Sequence, residues 1–179
     1  MTKEHPILFS GEMVRAILDG RKTQARWVIR YRLSWAIEND YWPHNHPLAP
    51  YAGNWPVTNT DEGMMPLSCP YGVPGDLLWV RETWQDLRPH QERVVYAATS
   101  GDVVTKWRPS IHMPRWASRI TLRVVNVRVE RLHDITFDNA SAEGFGSERE
   151  FNELFIKLNP HLKDTNPWVW VVEFEKVAP

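Results

Sequence analysis

Apolar residues at helical spacing mark three segments of the chain. In 10–20 they recur three and four positions apart between a candidate N-cap, Ser10, and a glycine stop. Residues 136–145 form a shorter pattern of this kind that closes at Gly144. Residues 147–158 open with a capping box and repeat apolar positions along one helical face. These patterns predict about three helices.

Other segments combine β-branched and aromatic residues in the way that is typical of strands. Strands are predicted at 6–9, 77–84, 94–99, 119–131 and 168–174. The alternation in 119–131 changes phase at Val124–Val125, which predicts a β-bulge or a sharp bend. The last strand is apolar on both faces at first, so we expect it near the centre of a sheet.

About five to six strands, about three helices and no βαβ alternation predict an α+β fold built on a small mixed β-barrel. Residues 1–179 are expected to form one domain, because the length suits a single core. An irregular excursion at about 31–66, rich in tryptophan and proline, interrupts the pattern. We interpret it as a long insertion rather than as a second domain.

Composition limits the chemistry. The single cysteine, Cys69, excludes an intramolecular disulfide and a cysteine zinc cluster, and neither a metal site nor a cofactor is predicted. No apolar run approaches the roughly 18 residues of a membrane span, and the polar N-terminus does not resemble a signal peptide. A cytoplasmic location is therefore expected.

The net charge is −1, yet the charges are unevenly distributed. Residues 1–32 carry seven basic and three acidic side chains, and residues 106–131 carry seven basic and one acidic. If the fold brings these segments together, they would form one positive face suited to a polyanion.

The segment Gly20–Arg26 concentrates candidate chemistry, with three cations and a hydroxyl just after the first helix. No acidic residue lies between Gly20 and Arg32, so we expect Lys22 to lack a local partner. Neighbouring positive charge and burial both disfavour a charged ammonium, which would suit Lys22 as a base or as a group that holds an anion. The alternative is a solvated basic turn.

A second set of candidates lies further along the chain. Arg81 lies in the predicted strand 77–84, which carries a charged residue on each face, and residues 107–116 interleave tryptophan, arginine and proline, a pattern suited to phosphate contact with base stacking. In the alternative interpretation the tryptophans fill the core. Glu143 lies near a helix C-terminus, where an anion is unfavourable, so it is a further candidate. The predicted ligand-binding residues are Arg21, Arg26, Arg81, Trp84, Trp107, Arg115, Trp116 and Arg119.

Several short motifs together resemble the ASCH domain of the PUA-like superfamily. They are Gly20-Arg21-Lys22-Thr23, Gly75-Asp76, Ala140-Ser141-Ala142-Glu143-Gly144 and the aromatic strand from Trp168 to Phe174. The chain resembles in particular the ASCH proteins of bacteriophages and prophages, some of them labelled morphogenetic, through 69–72, 79–84 and 107–114. The resemblance covers nearly the whole chain except 31–66, and it implies a bacterial cell or a phage-infected host.

The resemblance also implies a ligand. PUA-like barrels commonly bind RNA or modified bases, and one ASCH branch removes acetyl from N4-acetylcytidine with a lysine, a threonine three residues later and a glutamate. Lys22 and Glu143 correspond to the lysine and the glutamate, whereas Ala25 stands at the threonine position. Thr23 is a possible but displaced hydroxyl. Because the expected nucleophile is missing, we expect weak or absent amidohydrolase activity.

The leading hypothesis is thus a module that binds RNA, DNA or a modified nucleoside in a basic, tryptophan-lined cleft around Lys22 and Glu143. The alternative is a metal-independent amidohydrolase in which these two residues are catalytic. Nuclease activity and a phage assembly role, with phage proteins as partners, are further alternatives. No oligomeric state is predicted.

Overall fold

The computed structural model describes residues 2–29, 57–60, 63–66, 69–88, 93–101 and 104–177. Its helices are α1 (Gly11–Leu18), α2 (Phe137–Ala142) and α3 (Glu148–Leu158). The strands within the described ranges are β1 (Glu4–Leu8), β2 (Gln24–Val28), β3 (Val57–Thr60), β4 (Gly63–Pro66), β5 (Leu77–Arg81), β6 (Trp84–Asp86), β7 (Val94–Tyr96), β8 (Thr121–Arg131) and β9 (Trp168–Lys176). The predicted α+β class is confirmed.

Five strands form the main sheet in the order β1-β5-β8-β9-β2. Only the pair of β1 and β5 is parallel, and the other ladders of this sheet are antiparallel. Strands β1 and β2 are its two edges and share no ladder within the described ranges, so the sheet is open. The prediction of a β-barrel is therefore wrong for this sheet, because a barrel needs hydrogen bonds between the two edge strands.

The two remaining pairs of strands are short antiparallel ladders, β3 with β4 and β6 with β7. Strands β3 and β4 occupy the C-terminal part of the predicted excursion, and the rest of 31–66 lies outside the described residues. The single strand predicted at 77–84 is two strands, because pairing changes at Glu82–Thr83: β5 pairs with β8, whereas β6 pairs with β7.

Strand β8 contains the predicted bulge. Its register with β9 shifts between Val124 and Asn126, and the extra residue, Val125, is exposed. Val124 and Val127 are both buried despite their odd spacing, because the inserted residue returns the apolar positions to the core face. The change of phase in the sequence is thus confirmed as a bulge.

Strand β9 lies between β8 and β2, as its apolar character on both faces predicts. One face carries Val169 and Val171, which pack in a cluster with Phe151 and Phe155 of α3. The opposite face carries Trp170, Val172 and Phe174, which belong to the main core with α1. Because both faces are covered, β9 forms the centre of the fold.

The turn after α1 orients the segment that follows it. Gly20 has φ of 74°, and the amides of Arg21 and Lys22 both donate to the carbonyl of Ala16, at 2.8 and 3.0 Å. This closure at a left-handed glycine is a typical helix C-terminus, and it directs the chain into β2. None of the described helices has the length and apolar character needed to cross a membrane.

Candidate functional site

A cavity of about 530 Å³ opens between the start of α1, strand β2 and helix α3. Six of the described residues that line it are aromatic: Phe9, Trp27, Tyr71, Phe145, Phe151 and Phe155. Its charged lining consists of Glu12, Lys22, Arg26 and Glu143. Its volume lies in the range of roughly 300–1,000 Å³ that is typical of small-molecule sites.

Lys22 is fully buried beside Glu143, with side-chain exposures of 1% and 3%. Its ammonium donates to Glu143 Oε2 at 2.7 Å, to the Glu143 carbonyl at 3.0 Å and to the Gln24 carbonyl at 2.8 Å. An ammonium has three protons, so each proton has an acceptor. The partner that Lys22 does not have in its own segment is supplied by the fold, as an acid 121 residues away.

Arg26 is the second cation at this carboxylate, and its side chain is 0% exposed. Its Nη1 donates to Glu143 Oε1 at 3.1 Å, and its Nη2 donates to Glu130 Oε2 at 3.0 Å. The Nε–H of Arg26 is buried and has no hydrogen-bond acceptor within the described ranges. We call Lys22, Arg26 and Glu143 the cavity cluster.

A chain of alternating charges connects the cavity cluster to the sheet. Glu130 also accepts from Arg128, which pairs in turn with Glu173. Arg128 donates further to the side-chain oxygens of Gln24, at 3.0 Å, and Asn139, at 2.9 Å. The ion pairs hold the geometry of the cluster, since removing one buried partner leaves an uncompensated charge.

The walls of the cavity are rings in contact with one another and with the cations. Trp27 stacks on Tyr71 with ring centroids 4.1 Å apart, and Phe9 lies 6.3 Å from Trp27. Lys22 Nζ is 5.8 Å from the Phe9 centroid, and the Arg26 guanidinium carbon is 5.8 Å from that of Phe151. Flat apolar walls beside a polar floor suit a planar ligand that carries hydrogen-bonding groups.

Two local features bring Glu143 onto Lys22. The amide of Thr23 donates to the carbonyl of Ala142 at 2.8 Å, which ties the start of β2 to the end of α2. Gly144 has φ of 91°, and a Cβ placed there would lie 3.2 Å from the Ala16 Cβ and 3.5 Å from the Lys22 Cβ. The glycine after Glu143 therefore permits both the left-handed turn and the close approach of α2 to α1.

The two candidate hydroxyl positions lie in different places. Ala25 is buried and lines the cavity, so the position at which the resemblance implies threonine faces the same space as Lys22 and Glu143. Thr23 is exposed and does not line the cavity.

Most other predicted ligand-binding residues lie away from the cavity. Arg21 is exposed and pairs with Asp19 at 3.0 Å. Arg81 packs against the Trp79 ring, 5.5 Å from its centroid, and Trp107 is half-buried. Trp84 is 1% exposed and belongs to a small core with Met113 and Ala117, so its ring fills the interior as in the alternative interpretation.

The remaining three predicted ligand-binding residues form, with Arg88, what we call the arginine–tryptophan surface: Arg88, Arg115, Trp116 and Arg119. Its arginines are paired with acids. Arg115 contacts Glu4 at 2.8 Å, and Arg119 binds Glu82 through two hydrogen bonds of 2.9 and 3.0 Å. Arg88 is stacked 3.8 Å above Trp116, which is 54% exposed. The basic segment 106–131 is thus interleaved with carboxylates rather than presented as a continuous positive stripe.

Cys69 is buried and lies two residues before Tyr71, whose ring forms part of the cavity wall. Burial raises the pKa of its thiol to about 12, although a hydrogen bond with the Tyr71 backbone opposes this. The thiol is therefore protonated near neutral pH and is not an activated nucleophile.

Sequence reasoning identified the cavity cluster but not its surroundings. Trp27, Tyr71 and Phe151 were missed, because an aromatic residue in a strand, a turn or an amphipathic helix is ordinarily core. Glu130 offered a signal that was not used, since it is the single acid in the basic segment 106–131.

No protein-family model matches the chain, and no curated protein matches it. Among solved structures, the chain is similar to the crystal structure of protein EF3133 from Enterococcus faecalis V583, a DUF984 protein, at 12% sequence identity and a TM-score of 0.47. The similarity extends over 99% of this chain and 82% of that chain. Similarity at this level carries no argument about function.

Proposed function

We propose that the chain is an ASCH-like module that binds a nucleobase or a modified nucleoside, free or within RNA or DNA, in the cavity above Lys22 and Glu143. One observation carries the proposal: a buried cluster of two cations and one carboxylate forms the floor of a cavity whose walls are aromatic. A base offers a flat face to such walls and hydrogen-bonding edges to such a floor.

Two features support a single base as the ligand rather than a long strand. The cavity has the size of a small-molecule site, and base–aromatic stacking contributes about 1–3 kcal/mol per base. The arginines of the arginine–tryptophan surface, which would grip phosphates, are paired with Glu4 and Glu82. We therefore propose that affinity resides in the cavity, with little dependence on strand length.

The resemblance to ASCH domains supports the same site. Its two most informative motifs, Gly20-Arg21-Lys22-Thr23 and Ala140-Ser141-Ala142-Glu143-Gly144, are distant in the sequence and meet at the Lys22–Glu143 ion pair of 2.7 Å. A shared ancestral site would explain why these segments coincide.

Calorimetric titration with nucleosides and with short RNA and DNA oligomers tests the proposal. Trp27→Ala removes one wall and should weaken binding about tenfold or more, because stacking of about 1–3 kcal/mol is lost. Phe137→Ala is the matched control, since Phe137 is an exposed aromatic residue outside the cavity. If ligands bind and both substitutions lower their affinity equally, the cavity is not the binding site. If neither nucleosides nor oligomers bind at low salt, the proposal fails.

A second candidate is an amidohydrolase for N4-acetylcytidine-like nucleosides, and Ala25 makes it testable, because the position at which the resemblance implies threonine lines the cavity. A threonine there would add a hydroxyl to the lining that Lys22 and Glu143 share. The oxygen of that hydroxyl would attack the acetyl carbonyl, the amide C–N bond would break as the hydroxyl proton passes to the leaving N4 amine of cytidine, and water would then hydrolyse the acyl-threonine ester to acetate and free threonine. Against this candidate, all three protons of Lys22 are already hydrogen-bonded.

The comparison of three proteins tests this second candidate. The wild type should release little or no cytidine from N4-acetylcytidine, Ala25→Thr should gain release, and adding Lys22→Met should abolish the gain. Release by the wild type at a rate equal to that of Ala25→Thr would show that the chain uses another nucleophile.

A further inference from the structure

The two edge strands of the main sheet differ in how their backbone groups are protected. In β1, the amide of Phe9 donates to the carbonyl of Arg81, so Phe9 and the other odd-numbered residues face β5. Pro6 therefore lies on the outer side of β1, where it has no amide proton to offer. A proline at such a position is one of the features that keep an edge strand from pairing with another chain.

Strand β2 contains no proline, and alternate residues of this strand turn their backbone groups outward. The amide of Ile29 donates to the carbonyl of Trp168, so Ile29 and the other odd-numbered residues face β9. In an antiparallel ladder the residues between them direct their N–H and C=O groups away from the partner strand. Gln24, Arg26 and Val28 therefore present backbone groups at the free edge of the sheet.

One of these outward groups already has a partner within the chain, because the carbonyl of Gln24 accepts from Lys22 Nζ at 2.8 Å. Among the described residues, no hydrogen bond reaches the backbone amide or carbonyl of Arg26 or Val28. Arg26 as a whole is 6% exposed, whereas its side chain is 0% exposed, so the surface that Arg26 presents is main chain. We call the backbone groups of Arg26 and Val28 the β2 edge.

The cavity described above runs along the β2 edge. It is lined by the four consecutive residues 25–28, whose side chains alternate between the two faces of the sheet, so it lies beside the strand rather than above one face. Its walls also come from both faces. Phe9 and Met13 pack with the main core, whereas Phe151 and Phe155 belong to the cluster on the opposite face. The β2 edge thus lies between two apolar walls.

Both walls expose apolar side chains to solvent. Leu8, at the end of β1, is 47% exposed, and Leu158, at the end of α3, is 62% exposed; both line the cavity. Exposed apolar side chains grouped around a groove are typical of an interaction site. The chemistry of the β2 edge indicates which ligand fits, since N–H and C=O groups repeated at every second residue match another extended polypeptide.

We infer that the β2 edge is an interaction surface for an extended segment of a partner protein, which adds a sixth strand to the main sheet by pairing with Arg26 and Val28. The paired part of the segment is apolar on both faces, because its side chains alternate between the two apolar walls. Two edge residues set a pairing length of about three to five residues. This inference goes beyond the proposed function and does not rest on it, because it assigns a second class of ligand to the cavity.

Amide hydrogen exchange measured by nuclear magnetic resonance tests the pairing. In the free protein, the amides of Arg26 and Val28 should exchange rapidly, whereas those of Ala25 and Trp27, which face β9, should be protected. The probe is the peptide acetyl-Lys-Val-Ile-Val-Leu-Lys-amide, whose terminal lysines provide solubility. Saturation with this peptide should slow exchange of the Arg26 and Val28 amides about tenfold or more, with little change at Ala25 and Trp27.

A methylated form of the peptide is the matched control for its apolar side chains. N-methylation of all four apolar residues keeps these side chains but removes the amide protons that pair with β2, and it should weaken binding at least about tenfold. In the protein, Val28→Pro removes one amide of the β2 edge and should weaken binding of the unmethylated peptide. Val28→Ala keeps this amide and should weaken binding less. If Val28→Pro does not fold, the two peptides and the exchange pattern of the wild type still decide the inference.

Equal affinity for the two peptides, or binding without protection of the Arg26 and Val28 amides, would overturn the inference. Slow exchange of both amides before peptide is added would show that the edge is already paired, by the chain itself or by a second copy, and would overturn it as well. Binding of nucleosides without binding of the peptide would overturn the inference and leave the proposed function standing. Binding of the peptide with the expected protection, but of no nucleoside or oligomer, would do the reverse.

Discussion

The cavity cluster and the arginine–tryptophan surface both pair cations with carboxylates, but in different surroundings. Lys22, Arg26 and Glu143 are almost completely buried, and the cations share one carboxylate. Arg115 and its partner Glu4 are 42% and 44% exposed, and they form a separate pair in water. Both regions place cations beside aromatic rings, and the residues of the cavity cluster line the cavity described above.

Burial, rather than the pattern of residue types, therefore decides how much an ion pair contributes to stability. An exposed ion pair is worth about 0–1 kcal/mol, because water and salt screen it. A buried pair must satisfy every charge internally, so removing one member costs about 3–5 kcal/mol. The following substitutions test this difference, in order from the largest expected loss of stability to the smallest.

Glu143→Gln should have the largest effect on stability. The substitution removes the charge that compensates both Lys22 and Arg26, and it should lower the free energy of unfolding by about 3–5 kcal/mol. Glu175→Gln, which removes the exposed partner of Arg123, should cost less than about 1 kcal/mol. Urea unfolding of both variants measures the difference, and equal losses would show that burial does not separate the two pairs.

Arg119→Met should have an intermediate effect. Arg119 is 27% exposed, but its partner Glu82 is 2% exposed and loses two hydrogen bonds. A lost hydrogen bond to a buried charged group costs about 1.5–3 kcal/mol. Arg123→Met provides the comparison, because its carboxylate partner remains in water. A loss of stability no greater than that of Arg123→Met would place Glu82 in a better solvated site than the structure indicates.

Asp76 extends the contrast to a carboxylate that is held mainly by backbone amides. Burial works against its ionisation, but hydrogen bonds from the Lys3 and Val73 amides and the contact with His5 outweigh it, so the pKa of Asp76 is lowered. Because the pKa of Asp76 is lower in the folded than in the unfolded state, its ionised carboxylate stabilises the fold at pH values above the ordinary pKa of about 3.9. This stabilisation is lost as pH falls through the folded-state pKa.

Asp76→Asn should therefore cost about 1 kcal/mol at pH 7, and the difference from the wild type should shrink as pH falls below about 4. Urea unfolding of both proteins across this range measures it. A difference that is independent of pH would mean that the carboxylate charge plays no part in holding the turn.

Arg115→Ala should have the smallest effect, below about 1 kcal/mol, because both members of its ion pair are exposed. High salt should reduce the difference between this variant and the wild type, since screened exposed charges lose most of their interaction. Urea midpoints at low and high ionic strength check this. A large loss that does not depend on salt would instead indicate a packing role for the Arg115 stem.

The local elements of the fold were largely predictable. All three predicted helices are present, since each combines a short-range apolar repeat with an end signal such as Ser10 or Ser147. The bulge in β8 was predictable for the same reason, because the change of phase lies in neighbouring residues. Strand β2 was missed, because the basic segment Gly20–Arg26 that leads into it resembles a turn and its ladder depends on β9, which is distant in the chain.

The site was predictable in part. Lys22, Arg26 and Glu143 were selected from charge and motif, and they meet in the structure. Trp84 and Arg119 were also predicted to bind a ligand from their residue types, but Trp84 fills a small core and Arg119 pairs with Glu82. The composition of a segment does not predict which of its side chains are buried in the core.

The helices, most of the strands and the short list of charged residues could be predicted from the sequence, because they depend on periods and neighbours a few positions apart. It took the folded structure to show that the main sheet is open within the described residues, that Lys22 acquires a carboxylate from the end of α2, and that one donor of Arg26 is buried with no acceptor among those residues. The physical reason is that burial and charge compensation arise between segments more than 100 residues apart, as the separation of 121 between Lys22 and Glu143 shows.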